Sequence, residues 1–405
     1  MLKLDSVTAT VVIASLVALG PLATDMYLPA LPAMGQALGA GAGEMQLTLS
    51  VYMAGFAVAQ LVCGPLSDRY GRKPVMLGGL GLFAAASIGC ALAETVETIL
   101  LMRLLQALGG ATGPVLGRAA VRDIHEPARA AVIMSYVAMI MAVAPALAPT
   151  FGGVLLSTFG WPALFVFLAG YAVLAGAVLA LALPEPLSPH LRQSVRVSAL
   201  LRSYRIVLSD SGFRVYSLTN ALVFGGVFAF LSGASFVLID SMGVSAAHFG
   251  YYFAFIVVGY VSGSFAASRL SQRLGVDRLV LLGAAASAVG GAVMAALAWS
   301  QVYAVAAVIV PQMVYMFGVG LVLPQAMAGA LAPFPERAGT ASALFGFLQM
   351  TIASAMGVCV GQLHDGTSRM MALVIAGTGL LGLLVFATGR RRGAAVAPAG
   401  SAADA

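Results

Sequence analysis

Two ionisable residues lie inside long apolar stretches of this chain, where a charge is costly to keep. Asp25 is the only ionised side chain between Asp5 and Glu44, and Arg103 lies a few residues inside an apolar run that begins near Thr98. A charge at the centre of a helix in lipid costs about 2.5–3.5 kcal/mol on insertion scales. Desolvation favours the neutral form of a carboxyl group, and a nearby cation favours its ionised form. Asp25 and Arg103 are therefore the first candidates for proton chemistry.

The composition of the chain indicates that its solvent is lipid. Of 405 residues, 60% are hydrophobic and only 9% are charged, and the mean hydropathy is +0.98. A soluble domain of this size carries roughly a quarter charged residues. The three cysteines, Cys63, Cys90 and Cys359, form no spaced set, so neither a disulfide framework nor a metal site is predicted.

Apolar stretches of membrane-spanning length recur along the whole chain. Each approaches or exceeds the ~20 residues that a helix needs to cross the hydrocarbon, and none alternates with the period of two of a barrel strand. The first stretch is predicted to be a retained helix and not a cleaved signal. We predict an all-α membrane protein with twelve transmembrane helices near 7–34, 44–66, 74–93, 98–120, 131–156, 160–183, 213–239, 246–270, 278–298, 302–327, 338–362 and 369–389.

The basic residues are concentrated in alternate loops, and the opposite loops contain only Arg369. This asymmetry is the positive-inside pattern and predicts that both termini are cytoplasmic. The net charge of +6 does not indicate nucleic acid as a partner, because the basic residues are spread over many loops and form no single groove. The predicted partners are the lipid bilayer, protons and a small-molecule substrate, and the protein is predicted to be a monomer.

The chain divides into two halves that repeat each other. The hexapeptide LSDRYG at 66–71 recurs as LSQRLG at 270–275, and each copy follows the second span of its half. With six spans in each half, this repeat predicts two parallel bundles around a central pathway. The predicted boundaries are an N-terminal bundle at 1–184, a cytoplasmic linker at 185–212, a C-terminal bundle at 213–389 and a disordered tail at 390–405.

Four segments resemble the major facilitator superfamily. The segment GPLSDRYGRKP (64–74) is similar to the signature that the family carries between helices 2 and 3. Arg103, Gln106 and Gly109-Gly110 resemble the fourth-helix signature of its drug:proton antiporters, and APALAP (144–149) with Gly152-Gly153 resembles the fifth-helix signature. The segment PLATDMYLPALP (21–32) is similar to the first helix of the branch that confers resistance to bicyclomycin and chloramphenicol, called Bcr/CflA.

The resemblance implies two pseudo-symmetric six-helix bundles in the inner membrane of a bacterium. It also implies an alternating-access exporter of drugs or other small molecules, driven by a proton gradient without a cofactor. It implies that the antiporter motif comprises Pro145, Pro149, Gly152 and Gly153. It also implies a cytoplasmic gate, in which Asp68 pairs with Arg72 or Arg122 and Asp123 pairs with Arg69 or Arg72. The alternative is that these charges serve only as topology signals.

Asp25 and Arg103 are predicted to lie at a similar depth, with small or polar residues on the same helical faces. We predict that Asp25 carries the proton and that Arg103 senses or stabilises it. The alternatives are a static hydrogen bond between helices for Asp25, and for Arg103 either snorkelling to the surface or bracing of helices. No second acid lies in the two helical turns before Asp25, so a scheme that needs two intramembrane carboxylates is not favoured.

Amide and aromatic side chains within the spans are the candidates for substrate contacts. Such side chains can hold a neutral, amphipathic compound without selecting one identity. The alternative for each of them is helix packing. The predicted substrate-binding residues are Tyr27, Tyr52, Gln60, Tyr136, Asn220, Tyr251, Tyr315 and Gln349.

Other classes of function are less compatible with the sequence. The chain contains no Gly-rich loop that ends in Lys-Ser or Lys-Thr, so ATP-driven pumping is not predicted. An intramembrane enzyme would need a nucleophile–base pair or metal ligands at membrane depth, and no His or acid cluster supplies them. A sensor without transport would need an output domain, and none is predicted among these segments. The alternative within transport is a proton-coupled symporter that imports a small metabolite.

Overall fold

The computed structural model describes residues 7–124, 126–187 and 197–396. Their side chains are described except at 7–12, 122, 127–128, 131–132, 135–143, 182, 197 and 391–396. Within the described ranges every regular element is a helix. The all-α fold class is therefore confirmed.

The first half of the chain forms the helices that correspond to the first six predicted spans. A turn at Tyr27 and one 3-10 turn, Leu28–Ala30, interrupt the first span, and a break at Ala111 divides the fourth. The helices are α1 (Val7–Asp25), α2 (Leu31–Leu38), α3 (Ala42–Tyr70), α4 (Arg72–Ala91), α5 (Val96–Gly110), α6 (Thr112–Ile124), α7 (Pro127–Phe159) and α8 (Pro162–Ala182).

The second half begins with a short helix in the predicted linker and continues with the remaining spans. The first span of this half ends in a π-helical turn, Phe236–Ser241. The helices are α9 (Val197–Ser209), α10 (Ser211–Ser235), α11 (Ala246–Trp299), α12 (Val305–Leu331), α13 (Ala338–Gln362) and α14 (Arg369–Val396).

The described helices account for the predicted spans, although two spans share one helix. By length and hydropathy, 10 described stretches could cross a membrane, and Ala144–Phe159 is a shorter apolar stretch within α7. Spans 8 and 9 both lie within α11, 54 residues in which a kink at the non-helical Gly275 separates the two spans. The chain is therefore a multi-pass membrane protein.

A glycine with a positive φ joins the second and third spans of each half. Gly71 has φ 103° and ψ 155°, and Gly275 has φ 75° and ψ 166°. These conformations favour glycine, because a Cβ atom is strained there. The two glycines end the repeated hexapeptides, so the repeat seen in the sequence is also a repeat of backbone geometry.

The linker and the end of the chain are more helical than predicted. In the linker, the hydroxyl of Tyr204 on α9 donates a hydrogen bond to the carbonyl of Leu61 on α3, at 3.4 Å. Helix α14 continues to Val396, beyond the predicted boundary at 389. Gly393 and two alanines follow the basic residues at 390–392, and Pro398 is the first later proline.

Large apolar side chains are exposed on the outer faces of the helices. Leu181 on α8 is 78% exposed, and Phe265 on α11 is 60% exposed. Water would disfavour so much exposed apolar surface, whereas acyl chains are as apolar as these side chains. The outer surface therefore fits a bilayer.

The two halves meet through direct hydrogen bonds. The Ser354 hydroxyl on α13 donates to the carbonyl of Ser50 on α3 at 2.8 Å. The Ser235 hydroxyl at the end of α10 donates to the carbonyl of Leu28 at 2.6 Å. Both α1 and α10 run away from the face at which α1 begins and α14 ends, which we call the terminal face. The contact between Ser235 and Leu28 therefore lies towards the opposite, distal face.

Candidate functional site

Arg103 is completely buried, and its guanidinium group stacks on two tyrosine rings. The Cζ atom lies 4.4 Å from the ring centroid of Tyr27 and 4.3 Å from that of Tyr52. Cation–π contacts of this kind contribute about 2 kcal/mol or more when they are desolvated. Arg103 does not snorkel to the surface, so that alternative is wrong for this residue.

Hydrogen bonds fix the position of the Arg103 guanidinium. Nη1 donates to the backbone carbonyl of Ala23 at 3.1 Å and to Oε1 of Gln106 at 2.6 Å. The amide of Gln106 then donates to the Ser87 hydroxyl at 2.7 Å. This chain of bonds ties α5 to both α1 and α4. Among the described residues, none accepts a hydrogen bond from Nε or Nη2 of Arg103.

Asp25 is the last residue of α1, and it is only 5% exposed. Its Oδ1 atom lies 2.9 Å from the hydroxyl of Thr24. That hydroxyl also lies 3.1 Å from the carbonyl of Pro21 and 3.3 Å from the carbonyl of Gly20. It can donate to a carboxylate, or accept from a carboxylic acid while it donates to a carbonyl. Thr24 therefore offers Asp25 a partner in both protonation states.

Asp25 and Arg103 are neighbours that do not form an ion pair in the described structure. Arg103 binds the backbone two residues before Asp25, and Tyr52 lies within electrostatic range of both side chains. The Tyr52 hydroxyl has no hydrogen-bond partner among the described residues. The site therefore combines a titratable carboxyl group with unpaired donors, and it can respond to a proton without any covalent step.

Comparison with known proteins identifies the family to which this architecture belongs. The sequence profile of the Major Facilitator Superfamily matches residues 13–358. The chain belongs to the major facilitator superfamily. It is therefore a membrane transporter and not an enzyme.

Two relatives and one solved structure are similar to this facilitator over most of its length. It is 33% identical to the chloramphenicol resistance protein of Pseudomonas aeruginosa, over 84% of this chain and 81% of the relative. It is 28% identical to the bicyclomycin resistance protein homolog of Haemophilus influenzae, over 91% of this chain and 92% of the relative. These relatives confirm the resemblance to the bicyclomycin and chloramphenicol resistance branch.

The solved structure supports the fold of this facilitator. The crystal structure of a D-xylose-proton symporter superposes with a TM-score of 0.76 at 15% identity, covering 94% of this chain and 96% of the other. At that identity the likeness concerns the fold alone. The predicted fold of two six-helix bundles is confirmed.

The charged cluster on the terminal face of the facilitator is centred on Arg72. Its Nη1 atom lies 2.6 Å from Oδ1 of Asp68, and its Nε atom lies 2.9 Å from Oδ2 of Asp123. The same Nη1 donates to the Ser67 hydroxyl at 2.5 Å. Both predicted pairings of Arg72 are thus present. They join α3, α4 and α6, so they lie within the first half and do not link the two halves.

Of the other two basic residues predicted for the gate, Arg69 is described, and it forms no ion pair with Asp68 or Asp123. Arg69 stacks on the ring of its neighbour Tyr70, with its Cζ atom 5.1 Å from the ring centroid. The side chain of Arg122 lies outside the described residues. The gate role of the cluster remains a prediction.

The sequence did not single out Glu185, although it supports this cluster. Its two carboxylate oxygens accept hydrogen bonds from the backbone amides of Arg72 and Lys73 at 2.8 and 3.1 Å. A carboxylate at the N-terminus of a helix is stabilised by unpaired N–H groups and by the helix dipole. The contact spans 113 positions. The only signal in the sequence was an acid placed between two prolines just after span 6.

The glycines of the predicted antiporter motif permit close backbone contact. A Cβ atom on Gly152 would overlap the carbonyl oxygen of Met26, the residue after Asp25. A Cβ atom on Gly153 would overlap the carbonyl oxygen of Ala246, at the start of α11. Helix α7 continues through Pro145 and Pro149 without ending. Helix α7 therefore packs closely against the chain just after α1 at Gly152, and against α11 of the second half at Gly153.

The predicted substrate residues in the first half have different surroundings. Tyr27 and Tyr52 are stacked on Arg103, as described above, and Tyr27 also forms a hydrogen bond with Thr48. Gln60 is buried against Gly346 of α13, on the contact between the halves. The side chain of Tyr136 lies outside the described residues.

The predicted substrate residues in the second half also differ in burial. Tyr251 is 59% exposed and packs against His248, with ring centroids 5.8 Å apart, so it does not face the interior. The Tyr315 hydroxyl donates to the carbonyl of Val223 on α10 at 2.9 Å. Asn220 is completely buried, and neither atom of its amide has a partner among the described residues. Gln349 is half-buried.

Proposed function

We propose that this facilitator exports drugs or other small molecules from the bacterial cytoplasm in exchange for protons. The observation that carries the proposal is the buried carboxyl group of Asp25, which has no ion pair and lies two residues after the carbonyl group that accepts a hydrogen bond from Arg103. The resistance proteins of Haemophilus influenzae and Pseudomonas aeruginosa support export. They favour it over the alternative of a symporter that imports a metabolite.

In the proposed cycle Asp25 binds one proton from the distal side and releases it to the terminal side. When water enters, the ionised form of the carboxyl group is favoured, and when the site closes around it the neutral form is favoured. Substrate binding changes the surroundings of the carboxyl group, so the substrate and the proton compete for binding to the transporter. Each proton that crosses 100 mV supplies about 2.3 kcal/mol.

Arg103 has the role of a fixed cation in this cycle. Its bonds to Ala23 and Gln106 and its contacts with two tyrosine rings hold the guanidinium in place. The positive charge therefore stays close to Asp25 whether or not the carboxyl group is protonated. A fixed cation lowers the free energy of the ionised form and allows proton release.

The terminal face is proposed to be cytoplasmic, in the inner membrane. The basic residues of the alternate loops support this orientation, since positively charged loops remain in the cytoplasm. The Arg72 cluster would then form the cytoplasmic gate. Its ion pairs with Asp68 and Asp123 hold α3, α4 and α6 together in the present state. In the proposed cycle these pairs rearrange when the cytoplasmic side opens.

Drug susceptibility of expressing cells tests the proposed direction of transport. Cells that express the native protein are expected to tolerate higher concentrations of some neutral antibiotics than cells with an empty vector. They are also expected to accumulate less of the same labelled compound, and to lose this difference when a protonophore is added. Higher accumulation in expressing cells would reverse the direction and support the symporter alternative.

A further inference from the structure

The second half of the fold contains a position that corresponds to Arg103. Gly109 on α5 packs against the backbone of Gly79, and Gly318 on α12 packs in the same way against Gly283 on α11. Gly318 is 209 residues after Gly109. Gln312 is likewise 209 residues after Arg103. The two side chains therefore occupy equivalent positions of the two repeats, at the same depth.

Gln312 is as deeply buried as Arg103, but its side chain is unpaired. It is 0% exposed, and neither Nε2 nor Oε1 has a hydrogen-bond partner among the described residues. Leaving a buried polar group without a partner costs about 1–3 kcal/mol. The hydrogen bonds that fix Arg103 thus have no counterpart at Gln312. A buried amide without a partner favours a ligand that can form hydrogen bonds with it.

A second unpaired amide lies on the neighbouring helix. The hydrogen bond between Tyr315 on α12 and Val223 on α10 serves as a reference point for both amides. Gln312 lies three residues before Tyr315, and Asn220 lies three residues before Val223. Residues three apart share a helical face, so each amide lies one turn away from this bond. The helices α10 and α12 are antiparallel. The two amides therefore lie on opposite sides of that bond, about 9 Å apart along the bundle at 1.5 Å per residue.

The surroundings of these amides indicate which chemical class they would bind. Helix α12 contains no charged residue, and the only one on α10 is Arg214, six residues before Asn220. An ionised group would be desolvated there without a counter-ion, which is costly. A neutral amide or hydroxyl group can donate to and accept from a carboxamide.

We propose that Gln312, together with Asn220, binds neutral hydrogen-bonding groups of the transported compound. This inference rests on the proposed transport function and specifies its substrate class. The first half then supplies the charged groups for the proton, and the second half supplies neutral groups for the substrate.

Equilibrium binding to the purified full-length protein tests this assignment. The probes are labelled chloramphenicol, a neutral compound with amide and hydroxyl groups, and tetraphenylphosphonium, a cation without hydrogen-bonding groups. In Gln312→Leu we expect the Kd for chloramphenicol to rise about tenfold, which corresponds to the loss of one hydrogen bond, and the Kd for tetraphenylphosphonium to stay the same. Gln325→Leu, the same change on a half-buried residue of α12, is the matched control and is expected to alter neither value.

Thermal unfolding separates this role from a structural one. Replacing an unpaired buried amide by an apolar side chain of similar size is neutral or stabilising, so Gln312→Leu is expected to melt at the native temperature or above it. Higher stability together with weaker chloramphenicol binding would support the assignment. Equal weakening of both probes, no change in either, or no chloramphenicol binding by the native protein would overturn it.

Gradient-driven transport in vesicles, measured alongside binding, distinguishes a failure of this inference from a failure of the proposed function. If chloramphenicol binds in a Gln312-dependent way but a proton gradient does not move it in vesicles, the exporter proposal fails and the binding site stands. If the gradient moves chloramphenicol equally well in native protein and Gln312→Leu, with equal Kd values, the exporter proposal stands and the binding site fails.

Discussion

Arg103 donates a hydrogen bond to the backbone carbonyl of Ala23, two residues before Asp25, and does not form an ion pair with the Asp25 carboxyl group. A backbone carbonyl cannot be titrated, so this bond persists whatever the protonation state of Asp25. Proton binding therefore does not have to break a buried ion pair, a step that would leave an uncompensated charge and cost several kcal/mol. The cation is held by α1, and the carboxyl group remains free to change its charge.

The first prediction concerns the shape of the Arg103 side chain. A lysine at 103 keeps the positive charge but lacks the planar group that stacks on Tyr27 and Tyr52. We expect Arg103→Lys to destabilise the protein by about 2 kcal/mol, because the desolvated cation–π contacts are lost. The measurement is thermal unfolding in detergent. Arg269→Lys is the control, since Arg269 stacks on Phe265 in an exposed position and its replacement should cost under about 1 kcal/mol.

The same variant distinguishes proton coupling by Arg103 from simple bracing of helices. If Arg103 couples, the pH profile of gradient-driven transport changes in Arg103→Lys even at temperatures where the protein is fully folded. If Arg103 only braces α5 against α1, the amount of folded protein falls while the pH profile of the remainder matches the native one. The second outcome would remove Arg103 from the proposed mechanism.

The second prediction concerns the close contact of Gly152 on α7 with Met26, the residue that follows Asp25. In Gly152→Ala the new methyl group overlaps the carbonyl oxygen of Met26, so α7 must shift. Overpacking of this kind costs about 1–3 kcal/mol. Thermal unfolding and gradient-driven transport are both expected to decline. Gly170→Ala on α8 is the control, because no atom lies within 4 Å of its new Cβ and its stability should not fall.

Much of the architecture was predictable because it depends on local properties of the chain. Apolar length predicts the spans, and the repeated hexapeptide predicts the two repeated bundles, in which Gly71 and Gly275 have similar backbone geometry. The approach of Asp25 to Arg103 was also expected, because both lie at a similar depth on faces of small or polar residues. These inferences need only distances along a helix.

The remaining features depend on side-chain directions and on contacts between distant helices. Tyr27 and Tyr52 were predicted as substrate contacts, and the stacking of Arg103 on their rings was not predicted. Glu185 reaches α4 across the first half, which no local pattern reveals. Gln312 was missed because the repeat is offset by 204 residues at Gly71 and by 209 at Gly109, so a single offset does not align it with Arg103.

The third prediction separates gating from stability in the Arg72 cluster. Arg72 has a side chain that is only 10% exposed, and Arg72→Gln removes the cation that pairs with both acids in the described structure, which we expect to cost about 1–3 kcal/mol. Asp68 has a side chain that is 47% exposed, so Asp68→Asn should change the free energy of unfolding by less than about 1 kcal/mol. We nevertheless expect Asp68→Asn to lower the rate of transport. Native transport in this variant would indicate that Asp68 serves topology alone.

The fourth prediction tests the central claim, that the Asp25 carboxyl group carries the proton. Everted membrane vesicles that contain the native protein are expected to accumulate labelled chloramphenicol when a proton gradient is imposed. An asparagine at 25 has nearly the same shape and cannot ionise, so Asp25→Asn should exchange the compound across the membrane but not concentrate it. Asp240→Asn, the same change at an exposed acid in the π-helical turn of the second half, should behave like the native protein.

The most direct measurement is therefore the gradient-driven accumulation ratio of Asp25→Asn in vesicles that contain equal amounts of folded protein. Our account predicts a ratio close to one for Asp25→Asn, and ratios well above one for the native protein and for Asp240→Asn. Accumulation by Asp25→Asn to the native level would contradict it.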